Sequence, residues 1–216
     1  MNRPRFVWLG DSCVSIQFGD TIDPAVNARC VAVAASIENR GLRGIRDVVP
    51  SYTAVTIHFD PRVIDRRGLS AELDSFAIAH APVSNLSGKV VEVPVTYGGD
   101  AGPDLTAVAA FGRCSEADVV HLHASTSYHV YMMGFLPGFA YMGPVDARIA
   151  MPRLETPRLR VAAGSVGIAG AQTGIYPCDT PGGWRIIGRT SLKLFDAARE
   201  EAFLLKAGDR VRFVPA

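Results

Sequence analysis

Along the first third of the chain, apolar residues recur at two different spacings. Arg5 to Leu9 and Ser12 to Phe18, on either side of Gly10-Asp11, read as strands; Val14, Ile16 and Phe18 alternate with polar residues as in a half-buried strand. The spacing then lengthens. Val26, Cys30, Val33, Ala34 and Ile37 recur at helical intervals, with Thr21 or Asp23 as cap, Pro24 in the first turn and Gly41 as the stop. Ile45 to Val49 and Ala54 to Phe59 return to strand alternation. Leu69 to Ala79, introduced by Asp65-Arg66-Arg67-Gly68, predicts a second helix. The order β-β-α-β-β-α predicts an α+β domain with helices on one face of a sheet.

Pro82 to Gly88 (PVSNLSG) is polar, short and without periodicity, and predicts a linker between domains spanning residues 1–83 and 88–216. Lys89 to Tyr97 then reads as a strand with Val91, Val93 and Val95 on one face; Pro94 inside it argues for an edge or a bulge. Asp104 predicts the cap of a short helix to Phe111, and Ser115 with Asp118 a capping box for a helix to Ala124. Tyr128 to Met133 is a further strand. Short strands follow around Val161 and at Val166 to Ala169, Trp184 to Ile187, Ser191 to Phe195, Phe203-Leu204 and Val211 to Val214. Many short strands between frequent turns predict a mainly-β domain, a closed or nearly closed barrel.

Composition sharpens one stretch. Ten of the 21 glycines and six of the 14 prolines lie between Gly134 and Thr190. A flexible linker of that composition would lack large apolar side chains, but here the punctuation alternates with Phe135, Phe139, Tyr141, Ile168, Ile175, Tyr176, Trp184 and Ile186. That pattern predicts short buried strands joined by tight turns. Phe135 and Phe139 read as core, while the glycines beside Tyr141, Tyr176 and Trp184 leave their side open. Arg153 and Arg158 follow prolines and Arg189 follows a glycine. A guanidinium on a fixed backbone suits a carboxylate or phosphate, which it holds through two parallel hydrogen bonds. Gln172 and Tyr176 on a neighbouring turn complete the expected binding patch. The competing reading pairs these arginines structurally with Asp146, Glu155 or Asp179.

The remaining chemistry is sparse. The net charge of +1 gives no general attraction to nucleic acid or anionic membrane, and the excess of arginine over lysine reads as base composition. No run reaches the length of a membrane span and MNRPRFVWLGDS is not a signal peptide, so a cytoplasmic protein is expected. Cys13, Cys30, Cys114 and Cys178 form no CxxC pair, and His121 and His123, two apart on a helix, face different ways; no metal site is expected. His58 and His129 sit in separate strands; His129 is a secondary site candidate because its strand leads into Gly134. Neither GxxxxGK[ST] nor GxGxxG occurs, and there is no GxSxG elbow or SxxK. Ser165 after Gly164 reads first as a turn hydroxyl and only second as a nucleophile. No catalytic residue is assigned.

The segments GFLPGFAYMG, Pro152-Arg153 with Pro157-Arg158, AAGSVGIAGAQTGIYP and PGGWRIIGRT resemble the signature of one family: the B subunit of bacterial ATP-dependent 5-oxoprolinase, also called KipI or allophanate hydrolase small subunit. RDVVPSYTAVTIHFDP, VPVTYGG and AGDRVRFVP extend the resemblance over almost the whole chain. Ala162 stands where the family more often has Pro, and Pro144 where Gly is usual. The resemblance implies an α+β N-terminal domain followed by a cyclophilin-like β-barrel, and work with the 5-oxoprolinase C component (KipA-like) and A component. The implied reaction opens the lactam 5-oxoproline to L-glutamate at the expense of ATP, held largely on a partner component. Arg153, Arg158, Gln172, Tyr176 and Arg189 would hold the substrate carboxylate, with His129, Ser165 and Trp184 as secondary candidates. The same resemblance admits an inhibitor of a sensor histidine kinase, or a component of an allophanate or urea amidolyase-like enzyme. A prolyl isomerase would rest on fold analogy alone.

Overall fold

The computed structural model describes residues 4–79 and 88–216, with the backbone alone at 74–79. The chain divides into two compact units, Met1–Ser87 and Gly88–Ala216. Apart from Gly88, the segment expected as a linker lies outside the described residues.

In the first unit, β1 (Arg5–Trp8), β2 (Cys13–Gln17), β3 (Ile45–Pro50) and β4 (Ala54–Phe59) form an antiparallel sheet in the order β1-β2-β4-β3. Helix α1 (Pro24–Arg40) packs on β3 and β4, and α2 (Arg66–Ala79) touches α1. Each end of α1 has a local cause. The Asp23 carboxylate accepts the amides of Ala25 and Val26, and Gly41 takes the left-handed conformation that closes the last turn. Val14, Ile16, Cys30, Val33, Ile37, Val55, Ile57, Phe59, Leu69 and Leu73 form the core between sheet and helices.

The second unit is a closed seven-stranded barrel. Its strands are β5 (Val90–Tyr97), β6 (Ser127–Met133), β7 (Ala140–Gly143), β9 (Ser165–Ala169), β10 (Gln172–Ile175), β12 (Arg185–Arg189) and β13 (Arg210–Pro215), in the order β10-β7-β6-β13-β5-β12-β9. Only β13 and β5 run parallel. β8 (Arg158–Val161) and β11 (Thr180–Gly182) form a separate two-stranded ribbon. Helices α3 (Leu105–Gly112) and α4 (Glu116–Ala124) pack against β12 and β13 respectively. The capping box of α4 is formed by Ser115 and Asp118 as expected.

Three expectations need correction. Pro94 lies in a closed barrel, not on an outer edge; β12 pairs β5 only at Thr96 and Tyr97, so the ladder beside Pro94 is one-sided and its missing N–H costs nothing there. Ser191 to Phe195 is not a strand. The barrel is already closed around β12, no free edge is left for it, and only an isolated bridge joins Phe195 to Phe203. Asp104 stands before α3 but makes no capping bond; its carboxylate turns elsewhere.

One buried polar chain crosses the barrel core. The Thr173 hydroxyl donates to the Gly167 carbonyl (3.0 Å), so its contact with His123 Nε2 (2.9 Å) makes that nitrogen the donor. His123 Nδ1 therefore accepts the Tyr97 hydroxyl (2.8 Å). The neutral imidazole stacks on Phe213 at 4.3 Å, and burial pushes its pKa down to about 3.

Candidate functional site

The glycine-rich stretch builds a seat for aromatic rings. Gly167 and Gly174 face each other across the β9–β10 hairpin. A methyl at Gly174 would lie 3.0 Å from the Phe139 ring and 3.1 Å from Trp184, and one at Gly167 would lie 3.1 Å from the Trp184 Cβ. Their absence lets Phe139, Tyr176, Trp184 and Ile186 pack with Val161 of the ribbon in a cluster distinct from the barrel core. Successive strand residues point to opposite sides, so Ile187 enters the barrel core while Ile186 joins the aromatic cluster. Phe139 meets Tyr176 and Trp184 edge-on, both at 5.4 Å between ring centres.

The GFLPG segment joins β6 to β7 by two tight turns. The Leu136 amide donates to the Gly134 carbonyl, with Phe135 between them at φ 65°. The Phe139 amide donates to Leu136, with Pro137 and Gly138 (φ 88°) as the central residues of a turn that needs that Pro-Gly order. The positive φ throws the Phe135 ring outward, 60% exposed, which corrects its expected place in the core.

Arg158 is held from within. Its Nη2 donates to Asp104 Oδ1 at 2.7 Å and its Nη1 to the Trp184 carbonyl at 3.4 Å, while Asp104 Oδ2 accepts the Ile186 amide at 2.6 Å. The carboxylate that left the α3 cap thus ties the ribbon to β12. This partner is none of the three expected: Asp146 pairs with Arg148, and Asp179 with Arg160. Asp104 lies more than fifty residues upstream, and no local spacing announces it.

Arg189 is arranged differently. Its Nε donates to the Ala163 carbonyl at 3.0 Å, which anchors the guanidinium; among the described residues no hydrogen bond or ion pair engages its two terminal nitrogens. It borders a cleft of about 660 Å³ with Thr96, Gly164, Thr190, Ser191 and Lys193. Gly164 sits at φ 80° with its α-carbon against the Thr190 carbonyl, where a methyl would collide. The bonds from Gly164 N to Tyr176 O (2.8 Å) and from Thr190 N to Gly164 O (2.9 Å) fix the cleft floor. Asp179 nearby is already occupied: the Ala163 amide, Arg160 and the charge of Arg189 hold its carboxyl below the usual range. Lys193 reaches Asp196 at 3.0 Å, and among the described residues no carboxylate lines the cleft itself.

Among the remaining candidates, Arg153 and Tyr176 lie with Arg158 and Trp184: the charges of both arginines and the Trp184 amide act on the Tyr176 hydroxyl. Arg153 lies beside Gly183, where the chain enters β12, and Arg189 where it leaves; a five-residue strand separates them. Tyr176 is buried with its hydroxyl against Gly182; burial raises its pKa, opposed by the Trp184 amide. Gln172 is half-buried opposite Ala169 in the β9–β10 hairpin. Trp184 is buried in the aromatic cluster. Ser165 is buried beside the cleft, opposite Arg189 in the β9–β12 ladder. His129 is half-buried on β6, edge-on to Tyr131 at 4.7 Å, with its pKa lowered by burial and by Arg210. Lys193, Ser191 and Thr96 were missed as cleft residues. The one available signal was that Lys193 is one of only three lysines.

Among the described residues, no group of three His, Cys, Asp or Glu side chains could hold a metal ion, and no helix is long and apolar enough to cross a membrane. The family model for the carboxyltransferase domain, subdomain C and D, matches residues 4–205. The 5-oxoprolinase B subunit of Bacillus subtilis is 42% identical over 98% of this chain and 92% of its own length. That of Escherichia coli O157:H7 is 40% identical over 100% and 97%. The solved protein TTHA0988 superimposes with a TM-score of 0.86 at 37% identity, covering 94% of this chain. The match spans 40% of that protein's own chain.

Proposed function

Because the chain belongs to the carboxyltransferase subdomain C and D family, among relatives named as the B subunit of 5-oxoprolinase, we propose that it is a component of an ATP-dependent 5-oxoprolinase. The reading is carried by identity of 40–42% over at least 98% of this chain and at least 92% of each relative. The complex opens the lactam ring of 5-oxoproline to L-glutamate. A five-membered lactam is a stable amide, which is why its hydrolysis is coupled to ATP. This chain works with the A and C components and is inactive alone. The sequence has no glycine-rich phosphate loop, which supports placing ATP largely on a partner component.

The substrate carries a carboxylate and needs a cation that is held but not neutralised. Arg189 meets that requirement, being anchored through Nε with its fork free, whereas the fork of Arg158 is spent on Asp104. In the scheme the first is a binding residue and the second a positioning residue.

The test is co-expression with the A and C components, purification of the assembly, and assay of 5-oxoproline-dependent ATP hydrolysis. Turnover by the assembly and none by this chain alone is expected. Equal turnover by the isolated chain, or inhibition of a sensor histidine kinase with no 5-oxoproline-dependent ATP hydrolysis by the assembly, would overturn the proposal.

A further inference from the structure

We propose that the Arg189 cleft is an oxyanion-binding site, taking a carboxylate or phosphate group of a small ligand on the two free nitrogens of the guanidinium. Three observations converge on it. The guanidinium is anchored by its own Nε to the Ala163 carbonyl, so less side-chain freedom is lost on binding. Asp179, which shares an electrostatic interaction with Arg189, is already engaged by the Ala163 amide (2.8 Å) and by Arg160 Nε (2.9 Å), and among the described residues no direct bond joins it to Arg189. Beside apolar Ala101, Pro177 and Leu192, the cleft wall supplies the hydroxyls of Thr96 and Ser191 and the Lys193 ammonium, which also pairs with Asp196 at 3.0 Å. A planar fork with two parallel donors fits the two oxygens of a carboxylate or phosphate and discriminates against a single-atom anion such as chloride. The cleft is of ordinary ligand-pocket size, about 300–1,000 Å³ in general, and its floor is made rigid by the Gly164–Thr190 contact.

Two sources share this chemistry: the carboxylate of 5-oxoproline, and a phosphate group delivered from ATP. Naming either as the physiological ligand rests on the function proposed above; the preference for oxyanions does not.

The experiment titrates the full chain with 5-oxoproline, inorganic phosphate and chloride at constant ionic strength, following amide and arginine side-chain NMR shifts. Saturable shifts of the Arg189 signals by 5-oxoproline alone identify a carboxylate site, and by phosphate alone a phosphate site. Saturation by both, in competition, identifies a shared site, while chloride gives no saturable response. Arg189→Met should weaken the response at least about tenfold, and Lys193→Met severalfold. Arg148→Met, whose partner is Asp146, should leave it unchanged. Absence of saturable binding, or equal binding by wild type and Arg189→Met, overturns the proposal. If Arg189→Met unfolds the chain, Lys193→Met and the direct Arg189 shifts in wild type still decide it. The two proposals fail separately. An assembly that does not turn over 5-oxoproline leaves anion binding by this chain intact. An active assembly whose Arg189→Met form keeps the wild-type KM for 5-oxoproline, with no phosphate binding by the chain, sinks the cleft alone.

Discussion

Removing the Arg158 side chain should destabilise the barrel unit through the carboxylate it leaves behind. In Arg158→Met, Asp104 keeps the Ile186 amide but loses its counter-charge, and its side chain is only 9% exposed. Breaking a fully buried pair costs about 3–5 kcal/mol, and an exposed one at most about 1. Arg158 is 32% exposed, so water partly screens the pair and about 2 kcal/mol is expected. Asp104→Asn keeps an acceptor for Ile186 and leaves a guanidinium that can turn to water; about 1 kcal/mol is expected. Arg158→Met/Asp104→Asn should cost less than the sum, with a coupling of roughly 1–2 kcal/mol. Urea unfolding followed by fluorescence measures this cleanly, because the chain has two tryptophans, Trp8 in the first unit and Trp184 in the second. A Trp8→Phe background makes Trp184 the reporter and avoids mixing two transitions. Strictly additive losses, with coupling below about 0.3 kcal/mol, would refute the pairing. A stable Arg158→Met chain with weakened substrate binding would restore Arg158 as the ligand clamp.

Other consequences follow from the same geometry. His123 takes up a proton near pH 6.5 when unfolded but not until about pH 3 when folded, so its contribution is complete above pH 6.5 and declines below it. Between pH 7 and 5 the loss should be about 2 kcal/mol, and His123→Gln should flatten that part of a stability–pH curve. Gly174→Ala places a methyl 3.0 Å from Phe139 and 3.1 Å from the Ala140 carbonyl, and should cost about 1–3 kcal/mol in urea unfolding; a neutral result would show that the aromatic seat does not need the glycine. Phe135→Asn should leave stability within about 1 kcal/mol of wild type, since asparagine tolerates the positive φ and the ring it removes is 60% exposed. A much larger loss in thermal unfolding would mean the ring carries packing.

What was legible in the sequence was local. Asp23, Pro24 and Gly41 gave the bounds of α1 because caps and stops act within one turn. β7, β10 and β11 escaped because strands of three or four residues such as Gln172–Ile175 carry too little alternation. The site was harder still. Arg158 stood out by its proline, but its fate depended on Asp104, whose own local signal pointed to a helix cap. Arg189 stood out by its glycine; Lys193 follows it by four residues along the chain, while Thr96 joins it only through the pairing of β5 with β12. The three arginines look alike in sequence; in the fold, a backbone carbonyl anchors Arg189 and leaves its fork open, while the Asp104 carboxylate neutralises Arg158.

The most direct test of the central claim is reconstitution by titration. Purified chain is added in steps to a fixed amount of the A and C components, and 5-oxoproline-dependent ATP hydrolysis is recorded. The rate should be negligible without this chain and should rise to a plateau at a fixed molar ratio. A rate from the A and C components that does not respond to this chain would contradict the assignment.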